Sequence, residues 1–210
     1  IFTANKYSKV LKKIDAVPSN SNIKFSYIDN YGEWWIADND WLYSNDKFVY
    51  EQEIIFLSRW NEVDNQWLLY YQNSYPHIQS KDINGIYRLN ETLYVATNFG
   101  LLVCDLLDKS WKLFNKLNGL EDRVIDMVYY NNNLLLATDK GVFTFSTIID
   151  KPVANDNFYY LNTFIYDLAL KDDELFILSD FGFYKINLIN NYYSKISDKI
   201  FNKIAINNNK

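Results

Sequence analysis

Leu134–Phe145, LLLATDKGVFTF, is the stretch whose reading decides the fold, and it has two echoes in the same chain. Leu93–Val103 reads LYVATNFGLLV, and Leu175–Ile186 reads LFILSDFGFYKI. Their glycines, Gly100, Gly141 and Gly182, stand 41 residues apart at each step. Ala96, Ala137 and Leu178 keep that step, and so do Thr97, Thr138 and Ser179. A period of about 40 residues held without a slip marks stacked supersecondary units, either propeller blades or solenoid repeats.

Each unit reads as apolar run, polar turn, apolar run, glycine turn, apolar run. In the clearest unit Val124–Tyr130 is the first run and Asn131–Asn133 a turn, since Asn tolerates left-handed backbone angles. Leu134–Thr138 follows, then Asp139-Lys140-Gly141 as a second turn, then Val142–Phe145. The runs are short and rich in Val, Ile, Leu, Phe and Tyr, which suits strands. The first runs are apolar almost throughout, as expected of strands covered on both faces. Ser110–Phe114 and Tyr192–Ile196 supply a fourth, half-exposed run. Four strands of rising exposure per unit predict an all-β β-propeller, because radial repetition leaves only short edges.

Outward from the phased words, residues 1–22 form a leading segment, read as an outer strand or linker. Five four-stranded blades are expected, near residues 23–50, 53–81, 83–120, 123–161 and 163–199. The first has Trp41 where the others have glycine, and the second is degenerate, with Tyr75-Pro76-His77 interrupting it. The fourth carries an insertion at Ile149–Asp156. Residues 200–210 read as the start of a further blade or a closing strand. Either head and tail complete one ring, or the chain belongs to a longer propeller; the second reading is preferred, because the tail stops where a second strand is due.

Composition removes several function classes. There are 26 acidic against 21 basic residues and no long Lys/Arg cluster, which argues against a nucleic-acid groove. No apolar run approaches the roughly 20 residues of a membrane span. Cys104 is the sole cysteine, so no internal disulfide is possible.

Asn118–Met127 (NGLEDRVIDM) followed by Leu134–Val142 (LLLATDKGV) resembles the two-component regulator propeller repeat. That family runs Gly-Leu, a polar link, a Val/Ile-rich inner strand, a turn, a Leu-Trp-Ile-Gly-Thr strand and a closing Gly-Leu. Asp29–Ala37 (DNYGEWWIA) keeps the Asp-x-x-Gly-x-x-Trp-Ile part alone. The resemblance implies a module of the kind found in extracytoplasmic sensing regions of bacterial hybrid sensor kinases and in surface or secretion-associated proteins. It implies a non-enzymatic recognition or scaffold role with a protein or glycan partner, no cofactor and no membrane insertion by this segment. A glycan lyase or hydrolase with carboxylates at the axial mouth is the rival reading, and a piece of a structural subunit in a large assembly is another.

No catalytic or metal-binding residue is assigned. His77 is the only histidine, so a triad or a multi-histidine metal site would rest on it alone. Cys104 and Met127 lie in strand runs and read as core. Glu121-Asp122, Asp172-Asp173-Glu174 and Asp38/Asp40 fall in repeat turns, where acids are expected anyway. Most tryptophans should wedge between blades. Trp41, Trp60, Tyr75 and His77 lie nearest the loops of the two irregular units and are the predicted binding residues.

Overall fold

A computed structural model describes residues 2–4, 11–13, 23–38, 55–72, 74–121, 123–153, 158, 161–201 and 203–205. The chain divides into two compact units, Ile1–Lys81 and Asp82–Lys210. The described residues form four four-stranded antiparallel sheets and one two-stranded ladder.

In the first unit β1 (Phe2–Ala4) pairs with β2 (Leu11–Lys13). The main sheet has the order β3 (Ile23–Ile28), β4 (Trp34–Asp38), β5 (Ile55–Asn61), β6 (Gln66–Tyr71). The segments expected as separate blades near 23–50 and 53–81 are therefore strands of one sheet, and the sheets number four instead of five. β4 meets β5 through the pairs Trp35–Arg59 and Ile36–Ser58. The physical reason lies in the β5–β6 turn. Asn61 Oδ1 accepts the Val63 and Asp64 amides at 3.0 and 3.3 Å, and Asn65 takes φ 52°. That is the build of the third-to-fourth-strand turn in the other sheets, so β5 and β6 are the outer half of the first repeat. The connection between the halves, 39–54, lies outside the described residues.

The second unit holds three meander sheets. β7 (Ile83–Leu89), β8 (Thr92–Thr97), β9 (Gly100–Asp105) and β10 (Trp111–Phe114) form the first of them. β11 (Val124–Tyr130), β12 (Asn133–Thr138), β13 (Gly141–Ser146) and β14 (Lys151–Val153) form the next. β15 (Ile165–Lys171), β16 (Glu174–Ser179), β17 (Gly182–Asn187) and β18 (Tyr193–Ser197) form the last. The stretch read as an insertion at Ile149–Asp156 thus supplies β14. Its Pro152 faces Phe145 on the outer edge, where the missing N–H breaks no central ladder. The residues described beyond position 200, Phe201 and 203–205, carry no strand.

Adjacent sheets bury their facing surfaces in shared cores. Tyr94, Ala96, Leu101 and Val103 pack with Leu134, Leu136 and Phe145. Leu135, Ala137 and Val142 pack with Leu168, Leu175, Ile177 and Ile186. Cys104 and Met127 are buried, as read. Burial, reinforced by the Asp105 charge, pushes the Cys104 thiol up to about 12, so the thiolate is disfavoured.

The phased hydroxyls have one job. Thr97, Thr138 and Ser179 are buried at the end of each second strand. Each donates to the carbonyl of the repeat glycine, at 2.8, 2.9 and 3.2 Å. Each also accepts the amide two residues on, at 3.1, 3.0 and 3.2 Å. The hairpin turn is stapled twice by one side chain. Thr138→Val keeps the shape and removes both bonds, so urea unfolding should show a loss of about 1–2 kcal/mol.

Candidate functional site

The turns of the second unit gather at two ends. At one end the first-to-second-strand turns bond the third-to-fourth-strand turns. Leu106 N donates to Glu91 O at 2.8 Å, Thr147 N to Asn132 O at 3.0 Å, and Leu188 N to Asp173 O at 2.8 Å. The next residue in each case projects outward. Leu107, Ile148 and Ile189 are 77%, 73% and 72% exposed, and they stand 41 residues apart. The turns that carry them do not need an apolar residue there. Asp105 Oδ1 holds the Leu107 amide at 2.8 Å, and Asn187 Oδ1 holds those of Ile189 and Asn190, both at 3.1 Å. Lys109, Asp150 and Asn191 close the turns at φ 59°, 51° and 57°. The result is an aliphatic row, one residue per sheet, with polar residues between. Within the first unit the matching turn carries Val63, exposed in the same way.

At the other end lie the starts of the inner strands, and here one bond after another ties each inner strand to the next. Asn84 Nδ2 donates to Val124 O at 2.7 Å. Leu168 N donates to Asp126 Oδ2 at 3.0 Å, and Ile204 N to Asp167 Oδ2 at 2.6 Å. Lys203 Nζ reaches Asp167 Oδ1 at 2.5 Å. The two carboxyls lie within hydrogen-bonding reach of each other. Burial lifts Asp126 from 3.8 to about 6, against the lowering by the Leu168 amide and Lys203. Both acids are committed to backbone amides, which is an arrangement for joining sheets.

The predicted binding residues are not brought together. Trp41 lies outside the described residues. Trp60 is buried within β5, its ring edge-on to Trp67 at 5.3 Å, and not in a loop. Tyr75 sits in the link after β6, where Gln72 accepts its amide at 2.7 Å and donates to its carbonyl at 2.9 Å. His77 is exposed in the same link. Sequence reasoning missed the aliphatic row because an apolar residue in an apolar repeat reads as core. The signal was present: the same 41-residue step, falling in turns.

The third sheet has one further feature. β14 pairs only with Thr144–Ser146 of β13, whereas β10 runs down to Leu101 of β9. Beside this shortened edge lies a cleft of about 470 Å³, walled by Val142, Phe143, Val153 and Phe158 with Asn118 and Asn162 at its margin. Among the described residues no group of three or more His, Cys, Asp or Glu is placed to hold a metal, and no helix is long and apolar enough to cross a membrane.

Solved structures share this arrangement. The extracellular domain of BT3049 of B. thetaiotaomicron, described as a hybrid two-component system, superposes with a TM-score of 0.61 over 96% of the chain at 15% identity. That of BT4673 from the same organism, described as a one-component system, gives 0.62 over 94% at 16% identity. PorZ, a surface component of the type-IX secretion system of Porphyromonas gingivalis, gives 0.63 over 96% at 12% identity. The fold is propeller-like. The chain spans about a quarter of each of these proteins: 24%, 28% and 26% of their lengths. No family model matches the chain, and neither does any curated protein.

Proposed function

We propose that the chain is a non-enzymatic, extracytoplasmic recognition or scaffold module that docks a protein partner on the turn end carrying Leu107, Ile148 and Ile189. The observation that supports this is the phased aliphatic row, which the turns do not require and which water penalises. Aliphatic anchors among polar residues suit a protein surface. The neighbours with extracellular sensing and secretion titles support the compartment. The glycan-enzyme reading is disfavoured, because the convergent acids Asp126 and Asp167 are spent on Leu168 N, Ile204 N and Lys203.

A photo-crosslinking amino acid at position 148, in the native host, tests the reading against the same probe at position 181, an equally accessible apolar site. A discrete protein adduct is expected at 148 and not at 181. Leu107→Asp with Ile189→Asp should weaken it by about tenfold or more, as loss of two apolar anchors would. Equal labelling at both positions, or labelling indifferent to the two substitutions, overturns the proposal.

A further inference from the structure

The starts of β11 and β15 hold two carboxyls at corresponding repeat positions, Asp126 and Asp167, 41 residues apart. Asp167 is 2% exposed at its side chain, while the ammonium that answers it belongs to Lys203, 76% exposed. Two acids are thus dry and close, and the single cation sits where water screens it. The other elements packed on β11 offer no substitute. β8 and β12 carry no carboxylate, lysine, arginine or histidine. β7 has only Arg88, bonded to the Asn90 carbonyl at the far end of the strand. On β15 the remaining charge is Lys171, at the far end opposite Glu174. Just before β11, Arg123 lies over the Phe164 ring, and just before β7, Asp82 accepts from Asn98.

We propose that the Asp126–Asp167 pair is a proton-gated latch, holding β11, β15 and the 203–205 segment together more tightly when the two acids share one proton. With that proton on Asp126, its hydroxyl donates to Asp167 while its other oxygen keeps the Leu168 amide. Asp167 stays anionic, held by Lys203 and the Ile204 amide. With both ionised, like charges face each other and depend on one solvated ammonium. The folded-state value of Asp126, about 6, lies above its ordinary 3.8. Its stabilising contribution is therefore complete below about 4 and is lost as pH rises through about 6. The device acts across the mildly acidic range.

Native-state hydrogen exchange of the Leu168 and Ile204 amides in the full chain, corrected for intrinsic rates, is the test, together with carbon-13 titration of the Asp126 carboxyl. Between pH 8 and pH 5 protection should rise about tenfold or more, with its midpoint near that of Asp126. Asp126→Asn retains an acceptor for Leu168 and should flatten the profile at the protected level. Lys203→Ala should move the midpoint to higher pH. An Asp126 carboxyl that titrates near 4 overturns the proposal, and so does an Asp126→Asn profile that keeps the wild-type slope. Should that variant fail to fold, the wild-type titration decides alone.

Discussion

Replacing Gly100 with alanine is expected to lower stability by about 3 kcal/mol or more, one of the two largest effects anticipated from single changes in this chain. The residue has φ 130°, and a methyl group built on it would lie 2.2 Å from the Phe114 carbonyl oxygen. That oxygen is backbone at the end of β10, so nothing flexible can yield. Gly182 meets the Ser197 carbonyl in the same way. The close pass of the fourth strand over the third is the reason the glycine recurs in phase. Two companions separate crowding from backbone strain. Gly119→Ala keeps a positive φ of 84° with open space around it and should cost about 1 kcal/mol. Gly85→Ala has neither problem and should fall within about 0.5 kcal/mol of wild type. Urea unfolding followed by circular dichroism ranks the three. Equal losses at Gly100 and Gly119 would show that the Phe114 contact is not what fixes the period.

That contact explains how much of the fold was legible. The glycine, the hydroxyl three residues before it and the small or aliphatic residue before that each answer a local demand repeated in every sheet of the second unit. A local demand leaves a local mark, so the words recur. The first sheet was misread because its two halves are separated by a long connection, and strand order across such a gap is a tertiary fact. β5, Ile55–Asn61, is apolar enough to pass for an inner strand. The mark that corrects the reading is Asn61 followed six residues later by Trp67, as Asp105 is by Trp111. Both pairs place an aromatic on the outer strand beyond a turn closed by a left-handed residue.

The two ends of the second unit were legible only as periodicity. Leu107, Ile148 and Ile189 keep the repeat step, as do Asp126 and Asp167, yet a step does not say whether a side chain faces water or core. An aliphatic row in turns and acids in inner strands both run against burial preference. Such departures, once placed, are where function is sought. The tryptophan excess pointed the other way. Trp60 fills the first sheet's core, so large rings in this repeat mark packing before they mark binding.

Trp35 shows the same point in energetic form, and its loss should rival that of Gly100. The ring is fully buried, 5.3 Å from Tyr70, and the Arg59 guanidinium lies 5.6 Å from its centroid. Its Nε1 donates to Asp29 Oδ2 at 2.8 Å, while Asp29 Oδ1 accepts the Tyr31 and Glu33 amides, both at 2.9 Å. One carboxylate thus fixes the β3–β4 turn and ties it to the core, which is why Asp29, Gly32 and Trp35 occur together. Trp35→Ala is expected to cost about 4 kcal/mol through the cavity alone. Trp35→Phe keeps most of the volume but strands a buried carboxylate oxygen, at about 1–3 kcal/mol. Asp29→Asn can turn its amide toward the indole, which already donates, so it should also destabilise. If the two groups act as a pair, the double variant Asp29→Asn/Trp35→Phe will lose at least about 1 kcal/mol less than the sum of the singles. Strict additivity in chemical denaturation would mean that the indole stabilises by packing alone and that the aspartate serves only its own turn.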